Sequence, residues 1–193
     1  MFIESRPPEL PGEAAGIYDA DRATYGHLPN FTRALSLRPD VYTAWRALNG
    51  AIKARMEPRR YELASVAAAR AMRCSYCMLA HGSVLAGSGM DAADVQAIAE
   101  GDVSGLDPLE AAVMDLAEHV ALDAADITQA DIDELRELGL ADEEVLDVVL
   151  AAAARCFFAK VLDGVGALAD ARYAEMEAGM RDALVVGRPI EGM

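Results

Sequence analysis

Apolar residues recur at three- and four-residue spacing through most of the chain, with glycine, proline and acidic residues between the runs. That period is the mark of amphipathic helices. A first helix is predicted from about Ala14 to Tyr25, stopped by Gly26 and a Pro29-Asn30 turn. A short helical segment follows, from Phe31 to the Arg38-Pro39 break. Asp40 is positioned to cap a helix carrying Val41, Ala44, Trp45 and Leu48 on one side, with Gly50 a candidate kink. Glu57-Pro58 marks another start, with proline at the first helical position, and that helix runs to about Met72. The next spans about Cys74 to Ala86, and a short one opens at Asp91 and ends at Gly101.

Punctuation is clearer in the second half. Asp107-Pro108-Leu109-Glu110 combines an N-cap, a first-turn proline and an acidic third residue. Thr128 with Asp131 opens the following helix, with Ile127 and Ile132 spaced as a hydrophobic staple, and Gly139 ends it. A long apolar segment runs from Asp142 to about Tyr173, with interruptions near Gly164 and Gly166. Its alanine-rich part, 145–169, is apolar on several faces, as in a helix buried in a core or between subunits. Val185-Val186 is the only strand candidate and is too short to matter. The expected fold class is all-α, antiparallel helices joined by short loops. One domain over 1–193 is expected, with an irregular arm at 1–13.

Composition narrows the function. Hydrophobic residues make up 53% of the 193 residues, much of it alanine, and aromatics only 6%, the profile of close-packed helices. A net charge of −15 disfavours phosphate backbones, so nucleic-acid binding is not expected. There is no basic run for an anionic membrane, no secretory signal pattern and no stretch of about 18 apolar residues. The expected setting is cytoplasmic. Two of the three cysteines lie three apart, and in a reducing compartment such a pair points to catalysis or metal rather than stapling.

The informative stretch is Arg73-Cys74-Ser75-Tyr76-Cys77-Met78-Leu79-Ala80-His81. Cys74, Cys77 and His81 are spaced three and then four, which puts them on one helix face. Residues three apart on a helix lie within the Cα separation a disulfide tolerates, roughly 4.4–6.8 Å. The helix N-terminus and Arg73 are candidate stabilisers of a thiolate, and His81 a candidate proton acceptor. Glu62, on the preceding helix, faces the pair if the two helices form a hairpin, and would then orient His81 or relay a proton. The bland alternative is a pair of buried cysteines acting as small hydrophobes. Zinc is the next rival, but no second Cys/His cluster completes a four-ligand site, so no metal is expected. Haem attachment needs His directly after the second Cys, where Met78 stands. Cys156 reads as a buried packing residue. Tyr18, Tyr42 and Trp45 read as core, and His27 as a turn residue able to line a pocket. No dinucleotide, Walker or hydrolase motif is present, and no cofactor is expected.

Glu62-Leu63, Ala67 to Arg70, Cys74-Ser75-Tyr76-Cys77 and His81-Gly82 resemble the signature of the AhpD-like alkylhydroperoxidases, within the carboxymuconolactone decarboxylase superfamily. Asp21-Arg22 through Pro29-Asn30, Leu37-Arg38-Pro39, and Leu138-Gly139-Leu140 through Val148-Val149-Leu150 are similar to the longer peroxidase-related members. The resemblance implies an AhpD-like helical bundle assembled into trimers or larger rings, with a hexamer among the candidates. It implies peroxide reduction in which Cys77 attacks, Cys74 resolves, and Glu62 and His81 relay the proton. The chain departs from the pattern at Tyr76, where the best-studied members carry a histidine. The decarboxylase branch lacks the cysteine pair, which argues against lactone decarboxylation.

The expected function is therefore a peroxidase that reduces hydroperoxides through the cysteine pair, reset by an external dithiol such as a lipoyl or thioredoxin-like protein. The alternatives are a thiol–disulfide exchange protein or redox sensor without significant peroxide turnover, and a non-catalytic assembled binding protein.

Overall fold

The computed structural model describes residues 1–8 and 12–193, and among these the chain is helical, with no strand longer than one isolated bridge. The helices are α1 (Glu13–Tyr25), α2 (Asn30–Leu35), α3 (Pro39–Lys53), α4 (Pro58–Ala71), α5 (Ser75–Gly87), α6 (Ala92–Glu100), α7 (Pro108–Asp123), α8 (Gln129–Glu137), α9 (Asp142–Gly164) and α10 (Ala178–Leu184). The all-α expectation holds. Part of the expected arm, residues 9–11, lies outside the described residues.

At the centre is α4, packed against α5, α7 and α9. Its residues from Tyr61 to Ala69 are all buried, and four of the nine are alanine, which lets three neighbours approach one axis. A helix apolar on every side belongs inside a bundle. The carboxylate of Glu57 accepts the Arg59 and Arg60 N–H groups at 2.9 and 2.7 Å, beside Pro58 at the first helical position. The polar ends of α4 are tied outward: Arg59 pairs with Glu110, Arg60 with Glu144 and Arg70 with Glu118.

The first three helices form a cap over one end of α4 and α9. Their anchor is Asp21, which is fully buried. Its carboxylate accepts from Thr32 Oγ1 at 2.5 Å, Tyr42 Oη at 2.6 Å and Arg46 Nη1 at 2.7 Å. One side chain thereby joins α1, α2 and α3. The N-terminal arm is docked too: the Tyr18 hydroxyl donates to the Arg6 carbonyl at 2.6 Å, and the Phe2 N–H to that of Val165 at 2.7 Å.

Two expectations are corrected. Arg38, not Asp40, occupies the N-cap of α3, without a side-chain cap bond. Asp40 instead forms a two-point pair with the Arg38 guanidinium, at 2.9 and 2.8 Å. Gly50 leaves α3 unbroken to Lys53. The long C-terminal segment breaks where expected: α9 stops at Gly164, and Gly166 takes a φ of 69°.

The chain beyond α9 folds back across the bundle. Ile190 bridges to Ala169, and Gly187 N–H donates to Ser75 Oγ at 2.8 Å. Any side chain at 187 would meet the Arg73 carbonyl, since a Cβ there falls 2.1 Å from that oxygen. Among the described residues, no helix is long and apolar enough to cross a membrane.

Replacing Asp21 with alanine leaves two hydroxyls and a guanidinium without their common acceptor. Breaking a buried charged network from one side costs about 3–5 kcal/mol. Urea titration should show the midpoint of D21A falling accordingly with an unchanged slope. A loss below about 1 kcal/mol would mean that the network does not hold the cap.

Candidate active site

Four elements meet at the cysteine pair. The chain leaves α4 through Arg73, which adopts φ 55°, the left-handed region seldom used by a side chain of this size. Cys74 is the N-cap of α5 and Cys77 lies in its first turn. Both are buried and unbridged, with Cys74 fully covered and Cys77 2% exposed. Cys74 thus stands just before the helix rather than within it, still beside Cys77. Arg73 does not serve the thiols. Its turn sends the exposed side chain toward the C-terminal segment, where Nε donates to the Val186 carbonyl at 3.3 Å.

The cation at the thiols is Arg155, from the middle of α9. It is buried, with Nη1 donating to Cys77 Sγ at 3.9 Å and Nη2 to the Tyr61 hydroxyl at 3.1 Å. Tyr61 in turn donates to Asn49 Oδ1 at 2.8 Å. Among the described residues Arg155 has no carboxylate partner, and its Nε has no partner at all. Sequence reasoning missed this residue. The available signal was a lone arginine inside the apolar run Ala151-Ala152-Ala153-Ala154-Arg155.

These contacts set the cysteines apart. A hydrogen bond from Cys74 and the charge of Arg155 outweigh burial and hold the Cys77 thiol near pKa 7. The same coupling with Cys77, together with burial, pushes the Cys74 thiol up. Cys77 is therefore the half-ionised thiolate near neutrality, and Cys74 the proton-bearing donor to it.

His81 lies one turn further along α5, and its Nδ1 meets Glu62 Oε2 at 2.5 Å. Glu62 is also held by Lys53 Nζ, 2.9 Å from Oε1. Burial would raise the Glu62 carboxyl, but the bonds and charges of His81 and Lys53 bring it to about 2. For His81, burial and the positive charge of Arg155 outweigh Glu62, giving a pKa near 4. At neutral pH the pair is a carboxylate with a neutral imidazole, so Nδ1–H donates to Glu62 and the Nε2 lone pair stays free. The structure thus brings Cys74, Cys77, His81 and Glu62 together.

Above Cys77 opens a cavity of about 380 Å³. Tyr18 and Tyr42 are buried in the core as read from sequence; Tyr42 also lines the cavity, with half-buried Trp45 and with His27. Tyr76, between the cysteines, lines it also; its hydroxyl donates to Asp170 Oδ2 at 2.6 Å and accepts the Phe31 N–H at 3.2 Å. Cys156 is half-buried on another face of α9, and His119 pairs with Asp115 on the surface. Among the described residues, no three His, Cys, Asp or Glu side chains converge as a metal-binding group.

Residues 39–119 match the carboxymuconolactone decarboxylase family. An AhpD-core, peroxidase-related protein from Ralstonia eutropha superposes with a TM-score of 0.79 at 25% identity, covering 93% of this chain and 98% of that one. The family match spans residues 39–119, from α3 into α7, and the chain as a whole has the AhpD-like fold. A peroxidase-related protein from a Silicibacter species shares the AhpD-like fold at 20% identity, with a TM-score of 0.79 over 87% of this chain and 90% of that one. So does the debrominase Bmp8 in complex with 2,3,4-tribromopyrrole, at 16% identity and a TM-score of 0.73 over 95% and 96% of the two chains. The AhpD-like fold therefore serves more than one activity. No curated protein matches the sequence.

The thiolate absorbance near 240 nm tests the electrostatics of this AhpD-like site. Wild type should titrate with a midpoint near pH 7, and C77S should lose that step. C74A and R155M should each move the midpoint upward, since each removes a group that favours the thiolate. Coincident midpoints in wild type and both variants would show that neither group acts on Cys77.

Proposed function

We propose that the protein is a thiol peroxidase that reduces organic hydroperoxides through a Cys74/Cys77 dithiol–disulfide cycle. The observation that carries the reading is the asymmetric thiol pair: Cys77, ionised near neutrality, sits at the floor of an open cavity beside a histidine held by a carboxylate.

The Cys77 proton passes to His81 Nε2, whose orientation Glu62 fixes through Nδ1–H. The thiolate attacks the terminal oxygen of ROOH and the O–O bond breaks. The leaving RO⁻ takes the proton from His81 and departs as ROH, and Cys77 is left as a sulfenic acid. Cys74 then forms the S–S bond, releasing water. An external dithiol returns the pair to two thiols and is itself oxidised to a disulfide. Arg155 attracts the negative charge on sulfur before the attack and on oxygen during it. Lys53 keeps Glu62 ionised so that it cannot compete for the proton.

Variants separate the roles. C77S should abolish turnover and leave no sulfenic acid to trap. C74S should abolish turnover but still form a trappable sulfenic acid at Cys77. H81A and E62Q should slow the attack by roughly 10²–10⁴-fold and about tenfold or more respectively, since assistance is lost while the thiolate remains. A sulfenic acid trapped at Cys74 in C77S would reverse the two assignments. Wild-type turnover no faster than that of free dithiol would leave thiol–disulfide exchange or sensing as the function.

We also propose that the chain self-associates, as a trimer or hexamer. Leu146, Leu150 and Phe157 form one exposed stripe along α9, at 55%, 39% and 45% exposure. Sedimentation at micromolar concentration should show a species well above 20.5 kDa. A monomer across a wide concentration range would refute this.

A further inference from the structure

The chain is poor in aromatic residues, yet it gathers them in one place. Of its one tryptophan, six tyrosines and four phenylalanines, the cavity over Cys77 takes the tryptophan, five of the tyrosines and two of the phenylalanines. The rings pack on one another rather than on the core alone. Trp45 stacks on Phe158 with centroids 3.9 Å apart, and Phe31 makes edge contacts with Tyr76 and Phe158 at 5.8 and 5.7 Å. Helix packing alone does not ask for this, since α4 is packed with alanine on three sides. A volume of about 380 Å³ is also far beyond hydrogen peroxide, given about 30 Å³ per water in the liquid. It lies in the range of sites that enclose a small organic molecule.

The polar groups in that lining have a consistent sign. The two carboxylates present are engaged: Glu62 with His81 and Lys53, and Asp170 with Tyr76 and the Asn30 N–H. Two cations, Arg155 at the floor and exposed Arg172 at the rim, meet no carboxylate among the described residues, although Arg155 is held by Cys77 and Tyr61. Arg172 lies over Tyr173, 5.7 Å from the ring centroid. The indole N–H of Trp45 is buried without an acceptor, as is Nε of Arg155. A chain of net charge −15 thus keeps unspent donors and an unpaired cation in its one aromatic cavity among the described residues.

We propose that this cavity binds an aromatic carboxylate, with the ring inside the aromatic lining and the carboxylate meeting Arg172 at the rim. This deepens the peroxidase reading and rests on it for one point only: the substrate is then the hydroperoxide of an aromatic acid, its –OOH directed at Cys77. Acceptors on such a ligand also satisfy the orphaned donors, which otherwise stay buried at a cost. Arg172 is the residue that sets the charge preference.

Trp45 is the only tryptophan in the chain, so its emission reports the cavity directly. The probes are 4-nitrobenzoate, uncharged 4-nitrobenzyl alcohol and cyclohexanecarboxylate, the last scored by displacement of the first. They are titrated into wild type and into C77S, which holds no reactive thiol at that position. Saturable quenching by 4-nitrobenzoate is expected in both proteins, with affinity at least tenfold above that of the alcohol. Cyclohexanecarboxylate should displace it at least tenfold less effectively. R172Q should bring acid and alcohol to within about threefold of each other. No saturable quenching by millimolar 4-nitrobenzoate would overturn the proposal. So would equal binding of acid and alcohol, or a preference that survives R172Q. Hydroperoxide turnover assayed alongside separates the two readings. Turnover without binding sinks this inference alone, and binding without turnover sinks the peroxidase while leaving the ligand site.

Discussion

A guanidinium buried in the middle of a helical bundle, with no carboxylate to meet it among the described residues, is the constraint on which the rest of the site depends. Burying an unpaired charge costs several kcal/mol in a protein interior. Burial opposes the charge on Arg155, yet contact with Cys77 and Tyr61 more than restores it. The compensation runs both ways. Cys77 gains a cation that makes its thiolate accessible near neutrality, and Arg155 gains an anion that exists only while Cys77 is reduced. The electrostatic state of the core and the redox state of the sulfur are therefore one variable.

The other parts of the fold hold that meeting point in place. Alanine along α4 brings α5 and α9 to the same axis, so residues 78 positions apart come into contact. The cap of α1, α2 and α3 supplies the opposite wall of the cavity, and two buried carboxylates fix it. Asp21 binds the three cap helices to one another. Asp170 binds the start of α2 to the tyrosine between the cysteines. Tyr76 thus acts as a brace between α5 and the cap, while His81 and Glu62 pair with each other on the cavity side.

Local chemistry was legible in the sequence and distant chemistry was not. Cys77 and His81 share a face because four residues make about one helical turn, a fact independent of tertiary structure. Glu62 was readable once α4 and α5 were taken as a hairpin. Arg73 was misread because spacing carries no information on the φ of the residue before a helix, and a φ of 55° turns its side chain away. Arg155, the group that does the work assigned to Arg73, sits in a run that reads as plain core. Only the packing of α9 on α4 reveals what it faces. Helical spacing placed Trp45 and Tyr42 in the core, where Tyr42 is indeed buried, but it carries no sign that the same face also borders a void. The break at Gly164 was foreseen, whereas α10 and the return of the C-terminal segment were not, because short helices held by tertiary contacts have weak periodicity of their own.

The covering of Cys74 has a consequence in time. The hydrogen bond that clamps the C-terminal segment over this loop joins residues 112 positions apart. A ribosome working at roughly 5–20 residues per second therefore makes Ser75 about 6–20 s before Gly187. Throughout that interval the nascent chain carries both thiols without the segment that later binds the residues on either side of Cys74. Docking of the C-terminal segment beside Cys74 can begin only once Gly187 has been made, which makes the reducing power of the surroundings part of how this protein matures.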